Sequence, residues 1–276
     1  MNTRLKSSLI LWLCTVLMIS IFGIHGGIFL LALLAYFSQL ELYQMFEKMG
    51  LHPMKQIGLI CGSVLIFGSF YFGSIDAGQD IFLISFLALI LLIVRIDLQA
   101  GRLKSLMPTL FGFIYIPYLL HFLIKLYHLS NIEGNSTNSS LFISLWVISI
   151  AINTDIGGYI FGKILGKTKF SVISPKKTYE GAIGGVIFAV ILSYLILLSF
   201  NSLIPSQLSL GLAILITIPI SLASIASDLI ESAFKRQAGT KDSSQIIPGV
   251  GGVFDLCDSI ILTAPLAYLL FKFFVF

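Results

Sequence analysis

Residues 208–230 read L-S-L-G-L-A-I-L-I-T-I-P-I-S-L-A-S-I-A-S-D-L-I, and Asp228 is the only charged side chain among them. A helix rises about 1.5 Å per residue, so a run of this length reaches the ~30 Å thickness of a bilayer's hydrocarbon core. Comparable runs lie at about 8–24, 27–46, 57–75, 80–97, 106–128, 141–161, 181–200 and 256–276. Apolar residues make up 57% of the 276-residue chain and charged residues 11%, a composition outside that of water-soluble domains. The expected fold is an all-α polytopic transmembrane bundle of about nine spans. It forms one integral membrane domain over 1–276, with N-terminal helices in 1–128 and the helices and loops that carry the chemistry in 141–276.

Nine spans place the N-terminus and every second loop on one side, and 15 of the 17 basic residues fall there, Arg102 and Lys104 among them. Only Lys125 and Lys272 fall on the other side. The positive-inside rule then puts the N-terminus in the cytoplasm. The first run follows Arg4 and Lys6 but has no small-residue cleavage site before His25, so it is read as a retained helix. Cys14, Cys61 and Cys257 are isolated and have no C-x-x-C spacing, so neither a disulfide nor a zinc site is expected. Nucleic acid is not expected as a partner, because no basic run is interleaved with aromatics on a soluble domain.

The opening run continues into 227–259, S-D-L-I-E-S-A-F-K-R-Q-A-G-T-K-D-S-S-Q-I-I-P-G-V-G-G-V-F-D-L-C-D-S, which holds eight of the chain's 30 charged side chains. On a continuing helix Asp228, Ser232 and Lys235 share a face. Glycines and Pro248 then break regular structure, and Asp255 and Asp258 stand three apart at the start of the last apolar run. A second concentration lies at 153–185, N-T-D-I-G-G-Y-I-F-G-K-I-L-G-K-T-K-F-S-V-I-S-P-K-K-T-Y-E-G-A-I-G-G. Asp155 sits there inside an apolar run, where a carboxylate needs a partner or a wet cavity. Glu41 is in the same position in the second run, and reads equally as an interhelical hydrogen-bonding group or a functional one.

Gly158, Gly162 and Gly166 repeat every four residues, as a close helix contact requires. The segment Gly162–Thr168 has the look of a phosphate-binding loop, but it is one residue short and follows a membrane helix, so that reading is rejected. Ser174-Pro175-Lys176-Lys177 reads as a helix start, with Ser174 at the N-cap, Pro175 at the first position and an anion site between the lysines and the free N–H groups.

These residues resemble the signature of the phosphatidate cytidylyltransferases, the CDP-diacylglycerol synthases. The match falls on Ser232, Lys235, Arg236, Lys241, Asp242, Pro248, Gly249, Gly251, Gly252, Asp255 and Asp258, and Ser174–Thr178 with the following Glu-Gly is similar to a second stretch of that family. Val250 stands where the family has His, and Leu256 where it has Arg. Asp228, Asp255 and Asp258 are the expected Mg²⁺ ligands, because Mg²⁺ sits on one or two carboxylates while phosphates and water complete its shell. The expected catalytic residues are Asp228, Lys235, Asp255 and Asp258. Expected on the substrate are Asp155, Lys176, Lys177, Ser232, Arg236, Lys241, Gly251 and Gly252.

CTP as nucleotide and phosphatidic acid as acceptor are what the resemblance implies, with the active site on the cytoplasmic side of the cell's inner membrane and a homodimer left open. Another lipid phosphate as acceptor, an anionic-metabolite transporter built on Glu41 and Asp155, and an inactive relative are the alternatives. A transporter should place its charges at mid-membrane between repeats; here they gather at one face and no repeat is visible.

Overall fold

The computed structural model describes residues 3–72, 77–99, 104–171, 173–249 and 251–276; Val250 and Arg102 lie outside the described residues. The elements are α1 (Thr3–Phe22), α2 (Ile24–Lys48), α3 (Lys55–Tyr71), α4 (Ala77–Gln99), α5 (Leu106–Phe113), a π-helical turn (Ile114–Tyr118), α6 (Phe122–Ile132), α7 (Thr137–Leu165), α8 (Tyr179–Ser199), α9 (Leu210–Gln237) and α10 (Phe254–Phe274). Each of the nine apolar runs centres on helix, and the chain is membrane-embedded.

Among the described residues six helices are long and apolar enough to cross a membrane: Ile24–Lys48, Leu106–Ile132, Thr137–Leu165, Tyr179–Ser199, Leu210–Gln237 and Phe254–Phe274. Ile10–Phe22 and Lys55–Tyr71 are apolar but shorter. The 17 residues of α3 reach about 26 Å at 1.5 Å per residue, less than the hydrocarbon thickness. The described residues thus supply six crossings where the sequence reading expects about nine.

By packing the chain divides into two units, Met1–Ile124 with Phe234–Cys257, and Lys125–Ala233 with Asp258–Phe276. In the first, Cys61, Leu65, Leu89, Ile93 and Phe113 form a buried core, with Phe82 stacked on Phe113. Pro117 lies within the π-helical turn, and a Cβ on Gly62 of α3 would meet its ring at 2.9 Å. Polar side chains tie α2 to α3 and α5: the Gln39 amide donates to Tyr43 Oη (2.9 Å) and to the Gly58 carbonyl (3.0 Å), and Tyr43 donates to the Thr109 carbonyl (2.8 Å). The Phe234 ring at the C-terminal end of α9 is enclosed by Phe46, Phe111 and Tyr115, with centroids 5.5–6.1 Å away. That apolar anchorage positions the neighbouring Lys235.

In the second unit α7 and α8 pack through glycine. A Cβ on Gly181 would meet the Gly158 carbonyl and Gly162 Cα, each at 2.9 Å, and one on Gly185 would meet the Thr154 carbonyl at 2.6 Å. The expected close approach at Gly158 and Gly162 is present, and its partner is the glycine face of α8. Two hydroxyls along α9 are buried and bonded: Thr217 with Ser193 (3.1 Å), and Ser224 to the Ala151 carbonyl (3.3 Å).

Candidate active site

The start of α8 differs from the expected one. Thr178, not Ser174, is the N-cap: its backbone is extended and its Oγ1 accepts from the Gly181 N–H at 3.1 Å. Ser174–Lys177 is instead a turn closed by the Lys177 N–H on the Ser174 carbonyl (3.0 Å). Residues 168–179 fold back on themselves through the Tyr179 N–H to the Thr168 carbonyl (3.0 Å) and a Lys169–Thr178 bridge. Backbone pairing here outweighs the local Ser-Pro signal. Glu180, in the first turn of α8, accepts from the Lys167 and Thr168 N–H groups at 3.1–3.2 Å and pins the end of α7.

This fold-back frames a cavity of about 260 Å³ whose wall includes Asp155, Tyr159, Phe170, Lys176, Lys177 and Asp228. Lys177 forms an ion pair with Asp228, and the two side chains are 22% and 23% exposed. Asp228 Oδ1 also accepts from Ser232 Oγ at 3.4 Å, one turn along α9, as the shared face requires. Asp155 lies on the wall of the same cavity, and Lys176 is exposed at its rim.

Carboxylate oxygens of Asp228, Glu231 and Asp258 lie within 4.8 Å of one another. Two oxygens on one Mg²⁺, each about 2.1 Å from it, stand at most about 4.2 Å apart, so a shift of about half an ångström brings this group into range. An all-oxygen donor set of this kind fits Mg²⁺. The backbone carbonyl of Asp258 accepts from Ser227 Oγ, and its Oδ1 accepts from the Ser259 N–H at 2.6 Å. Glu231 is buried and was not singled out from the sequence. Its spacing of three from Asp228 inside an apolar run is the signal that could have found it.

In the first unit Asp255 and Lys235 form a second cluster. Lys235 Nζ lies 2.7 Å from Asp255 Oδ1, with the two side chains 13% and 11% exposed. Asp255 Oδ2 accepts from the Ser243 N–H (3.0 Å), Ser243 Oγ (2.8 Å) and the Gly252 N–H (2.7 Å). Arg236 and Lys241 are exposed, and Arg236 reaches the Thr240 carbonyl at 3.5 Å. Gly251 has φ +126°, a conformation that disfavours any side chain, and it exchanges two backbone hydrogen bonds with Ile247 (2.9 and 3.0 Å). The glycines close a turn and clear space for carboxylates: a Cβ on Gly251 would meet Asp255 Oδ2 at 2.6 Å. Of the three expected metal ligands, the structure groups Asp228 and Asp258 with Glu231, and gives Asp255 the Lys235–Ser243–Gly252 network.

Comparison with known proteins adds an independent observation. The profile of the Cytidylyltransferase family matches residues 2–274. The chain belongs to that family. It is 36% identical over 201 residues to the phosphatidate cytidylyltransferase of Staphylococcus saprophyticus, covering 71% of this chain and 72% of that one. It is 30% identical over 257 residues to the phosphatidate cytidylyltransferase of a Synechocystis species, covering 86% and 85%. With the protein of that name from Haemophilus influenzae the identity is 41% over 137 residues, about half of each chain. Membership bears out the expected resemblance and makes the chain an enzyme of the nucleotidyltransferase class.

Proposed function

We propose that the chain transfers the cytidylyl group of CTP to phosphatidic acid, giving CDP-diacylglycerol and pyrophosphate. The observation that carries this reading is the cavity in which Lys177, paired with Asp228, adjoins the three-carboxylate group in a cytidylyltransferase. A phosphate oxygen of phosphatidic acid attacks the α-phosphorus of CTP; a new P–O bond forms, and the bond to the α–β bridging oxygen breaks with its electron pair leaving on pyrophosphate. No protein nucleophile is required. The work left to the protein is positioning and charge stabilisation, which dominate such transfers.

Lys176 and Lys177 meet the phosphates from the fold-back before α8. Asp228, Glu231 and Asp258 are the residues to hold Mg²⁺, which when bound neutralises triphosphate charge. Asp155 lines the same pocket, and Ser232 orients Asp228 there. Lys235, Arg236 and Lys241 are the cations of the first unit, where Asp255 fixes Lys235. Gly251 and Gly252 keep the loop before α10 clear for the Asp255 and Glu41 carboxylates. The lysines and Arg236 gathered on this surface support assigning it to the cytoplasmic face of the cell's inner membrane. A phosphorylated lipid headgroup is presented there.

The test is conversion of labelled CTP to a lipid-extractable product by the purified protein with phosphatidic acid, with and without Mg²⁺, beside a Val250→His/Leu256→Arg double variant. Mg²⁺-dependent CDP-lipid from the native chain is the expected result. No product from either protein, with phosphatidic acid at saturation, refutes the acceptor assignment. Product from the double variant alone refutes activity of the native chain.

A further inference from the structure

Glu41 lies toward the C-terminal end of α2, fully buried, about 200 residues from the loop it contacts. Its carboxylate is saturated in a regular way. Oε1 accepts from Ser244 Oγ (2.6 Å) and the Val253 N–H (3.0 Å), while Oε2 accepts from Ser243 Oγ (2.7 Å) and the Phe254 N–H (2.8 Å). Each oxygen therefore takes one hydroxyl and one backbone N–H. The two N–H groups belong to the start of α10, where a negative charge is favourable and hydrogen bonds are charge-assisted. A Cβ on Gly252 would collide with both Ser243 Oγ and the Glu41 carboxylate, so the loop is pressed directly onto this side chain.

Ser243 carries the arrangement further. Its hydroxyl has one proton and stands 2.7 Å from Glu41 and 2.8 Å from Asp255, and its N–H donates to Asp255 as well. The position of Asp255, and with it the Lys235 ion pair, is therefore set through Ser243 by a carboxylate on a different helix. We propose that Glu41 is a positioning residue for cytidylyl transfer, acting through Ser243 on Asp255. The proposal rests on the reading of Asp255 as a residue of the proposed reaction. Glutamine cannot replace Glu41: whichever way its amide turns, an NH₂ faces either the Val253 or the Phe254 N–H, two donors with no acceptor between them.

The experiment compares the purified full chain with Glu41→Gln, Ser243→Ala, their double variant and Ser244→Ala, by CTP-dependent kinetics and by backbone amide hydrogen exchange. Displacement of a site group by about 1 Å costs up to ~100-fold in rate, so kcat of E41Q should fall by about that factor. KM for CTP should stay within roughly threefold, because the loss is in positioning rather than in ground-state binding. The double variant should be no worse than about threefold below the lower single, since both changes interrupt one route. Ser244 donates to the other oxygen of Glu41, Oε1, while Ser243 is the hydroxyl that also reaches Asp255, so S244A should keep a kcat much closer to that of the native chain.

A folded E41Q with native kcat, multiplicative effects in the double variant, or S244A as slow as S243A would each overturn the proposal. If E41Q does not fold, S243A against S244A makes the same comparison with Glu41 intact. If the native chain makes no CDP-lipid, the proposed reaction fails separately, and exchange decides the clamp. Faster exchange at Val253 and Phe254 in E41Q supports it, and unchanged exchange overturns it.

Discussion

Replacing Gly181 with alanine puts a methyl group into the α7–α8 contact at the edge of the cavity. Its carbon would lie 2.9 Å from the Gly158 carbonyl oxygen, 2.9 Å from Gly162 Cα and 3.1 Å from Thr178 Oγ1. Relaxed contacts of this kind lie at about 3.5–4.0 Å, so the two helices must part by about 0.5–1 Å. Two of the three obstacles are main chain and cannot swing aside, and the third is the Thr178 hydroxyl that caps α8. Overpacking of this sort costs about 1–3 kcal/mol. Alanine returns up to about 1 kcal/mol through helix propensity, so the net loss of stability is small. The cavity walls move by the full separation, because Thr178 and Lys177 precede α8 and Asp155 lies on α7. A shift of that size lowers the rate by about 10- to 100-fold. The assay is Mg²⁺-dependent CDP-lipid formation beside thermal unfolding in detergent. Gly211→Ala is the control, since a Cβ there meets nothing within 4 Å. Native turnover in G181A, or an equal loss in G211A, would refute the reasoning.

Three further outcomes are expected. Glu231→Gln removes one anionic oxygen from the three-carboxylate group, and the Mg²⁺ concentration for half-maximal activity should rise by about tenfold in a metal titration; an unchanged curve removes Glu231 from the ligand set. Lys177→Ala should raise KM for CTP by about 10- to 100-fold, the value of a charge-assisted contact, while melting shifts little because the Asp228 pair is about a fifth exposed; an unaltered KM with lowered stability would make the lysine structural. Asp255→Asn should abolish turnover and leave the protein folded in detergent, and near-native activity would sink the role of the Lys235–Asp255 pair.

Hydropathy alone located the helices, because a segment that must satisfy its backbone within a bilayer has few alternatives to helix. The count of crossings was less legible: α3 is apolar along its length but too short by the same measure. Local signals at 174–178 misplaced the start of α8. A Ser-Pro pair and Thr178 are both competent caps, and the choice fell to backbone pairing between residues 168 and 179. Asp228 and Ser232 could be grouped because helical spacing fixes their face. Asp255 could be noticed but its partners could not, since Ser243 and Gly252 reach it through a loop whose path depends on turn geometry. Glu41 marks the limit. A carboxylate in an apolar run shows that a partner exists, and nothing in the neighbouring sequence shows that it lies two hundred residues away.

The ring cage around Phe234 has a mechanical meaning. Successive residues on a helix point about 100° apart, and a lysine ammonium stands about 8 Å from the axis, so a rotation of about 15° would swing it by about 2 Å. Three aromatic rings seated on the preceding side chain act as a key against that rotation. The 2.7 Å approach of Lys235 to Asp255 is thus registered by grease as well as by charge. Thinning Phe46 or Phe111 would detune the ammonium without touching a polar atom.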